Sequence, residues 1–260
     1  MALDSRARYD ADAAAYARLW APVLAPAARP LLDRLDLDRA EVIVEIGCGT
    51  GGLLAELRAA APRAMVVGVD ASFGMLATHR DRRGLVQGDT QRLPLRDGCA
   101  AALVTAFVLH HVIDPPAAYA EMARALRPGG TLAVAAWADG EGWPAWDAAE
   151  SAYDEVGAPP VESAPVSGER TGSLDRLAAL AAAAGLDTTA AECDRLHWRP
   201  SVDELITVWS SLGPLGRRYA ALGEEARQRW RAQTRTRLLA LPPEAVAPRH
   251  VVQRAWARRP

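Results

Sequence analysis

The run from Val42 to Gly52, VIVEIGCGTGG, constrains this chain more than any other stretch. A short β-branched segment ends in glycines at 47, 49, 51 and 52, and Leu53 to Ala61 then follows at helical spacing until Pro62 stops it. That order reads as strand, tight turn and helix. The pattern recurs downstream. Met65 to Val69 is a second apolar run closed by Asp70, and Ser72 to Arg82 reads as a helix. Leu85 to Gln87 is a short third strand ending at Gly88-Asp89, and Ala101 to Ala106 a fourth. Pro116 to Leu126 is a helix whose proline suits its first turn, and Thr131 to Trp137 is a fifth strand. Strands alternating with helices over this length predict an α/β fold with a doubly wound, mostly parallel sheet and right-handed crossovers.

The flanking segments read differently. Tyr9 to Leu35 is Ala-rich and broken by Pro22, Pro26 and Pro30, which predicts two short helices in an N-terminal cap over 1–40, ahead of a core over 41–137. Residues 138–172 are rich in Gly, Pro and Ser and read as a loop or lid beyond the fifth strand. Leu174 to Ala184 is a helix, Thr188 to Trp198 a strand and His250 to Ala257 a last strand, so 173–260 would complete the sheet. A helical insertion over about 202–241 interrupts that completion. Its arginines, from Arg227 to Arg237, read as a solvated helix face.

Composition narrows the function classes. A formal net charge of -2 gives no electrostatic reason to expect a nucleic-acid partner. Cys48, Cys99 and Cys193 are far apart and form no C-x-x-C pair, so neither a disulfide framework nor a metal site is expected, and Cys48 reads as a small buried filler. No apolar run suggests a signal peptide or a membrane span, and a cytoplasmic protein is the expectation. The chain contains no Lys and no Asn, so no lysine can act as base, nucleophile or Schiff-base former.

The glycine turn admits two ligands by spacing alone. Gly47, Gly49 and Gly52 satisfy the G-x-G-x-x-G of a dinucleotide turn, while Gly47, Gly49 and Gly51 satisfy the tighter G-x-G-x-G of an S-adenosylmethionine (SAM) turn. In both, glycines let the backbone approach the ligand closely, and an acid at Asp70, about 20 residues on, would accept from ribose hydroxyls. Both ligands carry such a ribose, so Asp70 strengthens a nucleoside cofactor without choosing between them.

Three runs in this order, EIGCGTG at 45–51, GDTQRLP at 88–94 and LRPGGTL at 126–132, resemble class I SAM-dependent methyltransferases, and most of all the small-molecule branch related to ubiquinone and menaquinone methyltransferases. The resemblance is strong over roughly the first half. It implies the seven-stranded, Rossmann-like methyltransferase sheet, with SAM as cofactor and S-adenosylhomocysteine as product. It further implies that Glu45 orients the turn and the methionine amino group, with Gly47, Cys48, Gly49 and Gly51 lining it. Asp70 and Ala71 would meet the ribose, Met75 the adenine, and Gly88, Asp89 and Thr90 the adenine amino group. Ala106 would lie near the sulfonium, and Tyr16 would close over it.

The acceptor should lie beyond the fourth strand, near Phe107, His110 and His111. Either histidine is a candidate base for an acceptor hydroxyl, or simply packs locally. Methyl transfer is an in-line displacement, which alignment and desolvation can drive without a base. Phe107, His111, Trp137, Trp143 and Trp209 are the candidate acceptor wall, suited to a small aromatic or apolar metabolite, with no nucleic-acid or membrane partner. The alternatives are a SAM-binding protein that does not methylate and, on Gly52 alone, an NAD-dependent oxidoreductase.

Overall fold

The computed structural model describes residues 3–140, 142–161 and 171–260. They form two compact units. The first comprises the chain up to Asp139, a segment ending at Asp194, and the last strand from Val251; the second comprises a segment from Gly140 and residues Arg195–His250.

The first unit is a seven-stranded sheet. Its strands are β1 (Val42–Ile46), β2 (Met65–Asp70), β3 (Leu85–Gln87), β4 (Ala100–Ala106), β5 (Leu126–Trp137), β6 (Asp187–Arg195) and β7 (Val251–Arg258), in the order β3-β2-β1-β4-β5-β7-β6. β1 runs parallel to β2 and β4, and β4 to β5, while β7 is antiparallel to β5, with Thr131 opposite Arg258. The sheet is the mostly parallel, doubly wound one expected from the alternation of elements.

Strand periodicity divides the core. Val44, Ile46, Leu103, Leu132 and Val134 point to one face, where helices α5 (Pro115–Ala125) and α7 (Leu174–Ala183) supply Ala118, Tyr119, Met122 and Leu177. The other face receives α2 (Ala21–Ala28), a 3₁₀ turn (Arg29–Arg34) and α3 (Gly52–Ala60). There Trp256 donates its indole N–H to the Leu31 carbonyl, 3.0 Å, and Arg254 donates to that of Ala27. Gly52 opens α3, and a methyl group there would sit 3.2 Å from Ala25 of α2.

Helix α1 (Leu3–Leu19) precedes α2, and α4 (Phe73–Ala77) follows β2. The stretch Ser72 to Arg82 is therefore helical only over its first turns. Thr78 ends it by turning its hydroxyl back onto the Met75 carbonyl, 2.7 Å, an interaction by which threonine competes with the helix ladder.

Residues 138–172 are not all loop. Pro144–Glu155 form α6, started by proline in the first turn and burying Ala145, Ala149, Ala152 and Tyr153 along one stripe. Gly and Pro flanking this stripe dominate the composition and hide it. Residues 141 and 162–170 of that stretch lie outside the described residues.

α6 belongs to the second unit, with α8 (Val202–Trp209), α9 (Gly213–Ala220), α10 (Glu224–Ala240) and α11 (Pro243–Val246). Ser201 and Glu204 close a reciprocal capping box at the start of α8. Trp230 stacks on Tyr153 at 4.4 Å between centroids and donates its indole N–H to the Ala149 carbonyl. The arginines of α10 are not only solvated. Arg231 donates to the Tyr219 hydroxyl and Arg227 to the Tyr219 carbonyl, while Arg235 and Arg237 pair with Asp203 and Glu155. Among the described residues no helix is long and apolar enough to cross a membrane.

Candidate active site

Strand order reverses between β1 and β4, and in open α/β sheets the crevice outside the carboxyl ends at that point is where ligands bind. The turn after β1 occupies one side of it. Gly47, Gly49 and Gly51 all have left-handed backbones, with φ of 69°, 51° and 88°, a sequence of conformations that only glycine adopts at little cost. Four of the turn's N–H groups are committed to the protein. Gly47 and Cys48 both donate to the Val69 carbonyl, at 2.7 and 3.1 Å, and Gly51 donates to that of Cys48. Gly49 donates to Asp70 Oδ2 at 2.8 Å, and Ser72 donates to Asp70 Oδ1 at 2.8 Å. Burial raises the Asp70 carboxyl above its ordinary range, opposed by these two donors.

Glu45 shares a strand face with Ile43 and not with Val44, so a carboxylate occupies a position where the pleat calls for an apolar side chain. It is only 4% exposed, and its Oε2 has no hydrogen-bond partner. Burial, reinforced by the charge of Asp70, pushes its pKa well above the usual carboxylate range. A buried orphan acceptor of this kind is costly and needs an account in terms of function. Glu45 lines a cleft with Tyr16, Gly47, Cys48, Gly49, Thr50, Ala106 and Phe107, closed on one side by Leu24 and Ala25 of α2. Counting its solvent-filled mouth, the cleft holds about 400 Å³.

The far wall begins at Phe107, the one non-glycine residue with a left-handed backbone among the described residues, φ 59°. Such a conformation costs on the order of 1–3 kcal/mol and collects at ligand sites. It is held by the Phe107 N–H donating to the Ala135 carbonyl at 2.8 Å and by the ring lying 4.5 Å from that of Trp137. His110 and His111 follow in a 3₁₀ turn, rings 3.7 Å apart. Burial lowers His110 to about 4 and His111 to about 2, so both imidazoles are neutral at pH 7. The Tyr9 hydroxyl, whose pKa burial raises, shares a hydrogen bond with His111 Nε2 at 2.6 Å. His110 Nδ1 is buried without a partner.

Helix α1 reaches this end of the sheet at a second point. Asp10 Oδ1 accepts from the Ser72 hydroxyl at 2.6 Å and from the Gly74 N–H at 2.7 Å, and these bonds hold its carboxyl below the usual range. The Ser72 hydroxyl in turn accepts from the Met75 N–H.

The site residues expected from sequence fall into three groups. Tyr16, Glu45, Gly47, Cys48, Gly49, Ala106 and Phe107 line one cleft, with Gly51 at the base of the turn. Asp70, Ala71, Met75, Gly88, Asp89 and Thr90 cluster at the adjoining ends of β2 and β3 and do not line it. There Gly88 donates to the Asp70 carbonyl, Gln87 to that of Ala71, and Asp89 accepts from the Gln91 N–H, while Met75 is buried. Trp143 and Trp209 lie in the second unit, 7% and 4% exposed, with rings 5.2 Å apart. Asp10 and His79 make site contacts that residue type and spacing did not reveal; His79 in particular sits where a continuous helix was expected.

Residues 44–134 match the family model described as a methyltransferase domain. A demethylmenaquinone methyltransferase of Mycolicibacterium gilvum (strain PYR-GCK) is 40% identical over 107 residues, covering 41% of this chain and 46% of the relative. A trans-aconitate 2-methyltransferase of Azoarcus sp. (strain BH72) is 40% identical over 112 residues, covering 42% and 44%. The chain thus spans less than half of these relatives. Among solved structures, the putative methyltransferase in complex with the Haloferax volcanii Trm112 methyltransferase activator shares the fold, with a TM-score of 0.58 at 19% identity over 97% of both chains. With the strand order, the glycine turn and the acids at 45 and 70 already in place, these matches show that residues 44–134 are similar to a methyltransferase domain and that the chain shares its fold with that solved structure.

Proposed function

We propose that the protein is a SAM-dependent methyltransferase acting on a small aromatic or apolar metabolite. The observation that carries this reading is Glu45, a buried carboxylate whose free oxygen lines the cleft beside the glycine turn. An ammonium group is the partner that relieves such an orphan, and the methionine end of SAM bears one. The turn supports the same choice. Its 47, 48, 49 and 51 N–H groups are spent on the fold, which removes donors that a dinucleotide's diphosphate would need. Asp70, fixed by two backbone donors, is the ribose acceptor in this reading, and Met75, Asp89 and Thr90 the adenine side. When bound, SAM supplies a methyl group on a sulfonium leaving group.

The chain's own residues would align and desolvate the acceptor. Phe107 and Trp137 present an aromatic pair at the carboxyl ends of β4 and β5. Trp143 and Trp209 of the second unit cover each other, edge to face. As a base, His111 has its Nε2 engaged in the hydrogen bond with Tyr9, while His110 keeps an unpartnered Nδ1. Both are weak bases at neutral pH, so proximity and exclusion of water carry most of the acceleration. A cytoplasmic setting and the absence of nucleic-acid and membrane partners belong to the same proposal.

Calorimetric titration with SAM and with NADH tests the cofactor. We expect SAM to bind and NADH not to; binding of NADH alone sinks the reading. Release of S-adenosylhomocysteine on incubation with apolar aromatic hydroxyl or amine acceptors tests methyl transfer, and no release across the set would leave a SAM-binding protein that does not methylate.

A further inference from the structure

Gly49 is gripped at both of its backbone polar groups by side chains from the segment after β2. Its N–H donates to Asp70 Oδ2 at 2.8 Å, and its carbonyl accepts from His79 Nε2 at 2.9 Å. The same imidazole packs against the next glycine of the turn: a methyl group built on Gly51 would come 2.4 Å from His79 Cε1 and 2.8 Å from Nδ1. His79 reaches back because α4 ends at Ala77. Thr78 and His79 close a tight turn onto the Met75 and Leu76 carbonyls. A helix continuing to Arg82 would carry residue 79 past the turn.

We infer that His79 is a positioning residue that sets the affinity of the glycine turn for the methionine end of SAM. The inference rests on the functional reading above and deepens it. Asp70 alone fixes one side of the Gly49 peptide and leaves its carbonyl free to rotate through the wide range of angles open to glycine. A donor on the carbonyl removes that freedom, so the ligand meets a turn already in its binding shape and pays less ordering entropy. A carbonyl can only accept, so the ring presents an Nε2–H donor to the turn. Packing on Gly51 supplies the rest: the flat ring fills the space that a side chain at 51 would take, and so makes glycine at 51 a requirement of contact as well as of φ.

The test compares wild type with His79→Leu, which keeps bulk without a donor, and His79→Gln, whose amide N–H reaches about as far as Nε2. SAM affinity is measured by titration calorimetry, amide exchange over residues 47–51 in the ligand-free proteins, and KM and kcat with the best acceptor. We expect His79→Leu to weaken SAM binding about five- to tenfold, the worth of one such hydrogen bond. Turn exchange should quicken and KM for SAM rise with kcat held, while His79→Gln restores all three. Wild-type affinity and exchange in His79→Leu would overturn the inference, as would His79→Gln behaving like His79→Leu. Should His79→Leu not fold, His79→Asn replaces it: too short to reach the carbonyl, it is expected to match the loss, and wild-type behaviour there overturns the inference. Failure of the wild-type protein to bind SAM overturns the functional reading instead, and the exchange comparison still decides whether His79 holds the turn.

Discussion

In the helical unit, buried aromatic side chains hand their polar ends to backbone carbonyls: Trp230 to Ala149, Trp143 to Val246 and Tyr153 to Trp209. At the reversal point of the sheet, Glu45 Oε2, Thr105 Oγ1 and His110 Nδ1 are enclosed with nothing to bond. Orphans occur in the helical unit too, at Arg218 Nε, Gln233 Oε1 and Thr234 Oγ1, but none of these lines the cleft as Glu45 does. The difference separates two uses of buried polarity. One set of groups finishes a core, while in the proposed function the other, Glu45 first, is completed by the ligand. The left-handed Phe107 falls with the second set, as a strained residue should.

The sharpest way to break this contrast is Trp230→Ala. Truncating a fully buried indole should cost the helical unit about 3–5 kcal/mol. Proteolysis and amide exchange over 202–246 should register the loss while the SAM dissociation constant stays within about threefold of wild type. A matching loss of SAM affinity would mean that the two units do not divide their work in this way.

Glu45→Gln comes next and should move two quantities in opposite directions. Losing a charge-assisted bond to an ammonium weakens SAM binding about 100-fold. Removing a buried, unpaired carboxylate raises stability by up to about 1 kcal/mol. Titration and a thermal melt measure the pair; a destabilised variant with normal affinity would show Glu45 to be a structural acid.

Smallest is a pH effect. Burial lowers His110 from 6.5 to about 4, so between those values the unfolded chain holds a proton that the folded one does not. Its contribution to stability is fully present above 6.5 and is lost as pH falls toward 4. Glu45 and Asp70, raised by burial, act with the opposite sign, so the informative measurement is a difference. His110→Gln should flatten the urea midpoint against pH over that window, and an unchanged slope would show His110 exposed to protons in the folded protein.

Most of the sheet was legible because strands buried on both faces read as apolar runs, and the glycines at 47, 49 and 51 have one physical use where a strand becomes a helix. Glu45 was legible through the motif it opens, EIGCGTG, in which an acid suits the ammonium of a methionine moiety. What the sequence concealed depended on partners far along the chain. Nothing around Asp10 says that it reaches Ser72 and Gly74, and nothing around Tyr9 says that it meets His111. His79 was hidden because a threonine hydroxyl, which no periodicity records, stops its helix early. α6 was hidden because its buried alanine stripe is short and flanked by Gly and Pro.

The antiparallel seat of β7 between β5 and β6 also bears on how the chain is made. β5 leaves the ribosome with its outer edge unpaired, and the strand that covers it follows only after residues 138–250. At about 10 residues per second, that edge stays open for on the order of ten seconds. An apolar strand left open so long invites pairing with other nascent chains, so the interval before Val251 emerges is when this protein most needs a chaperone.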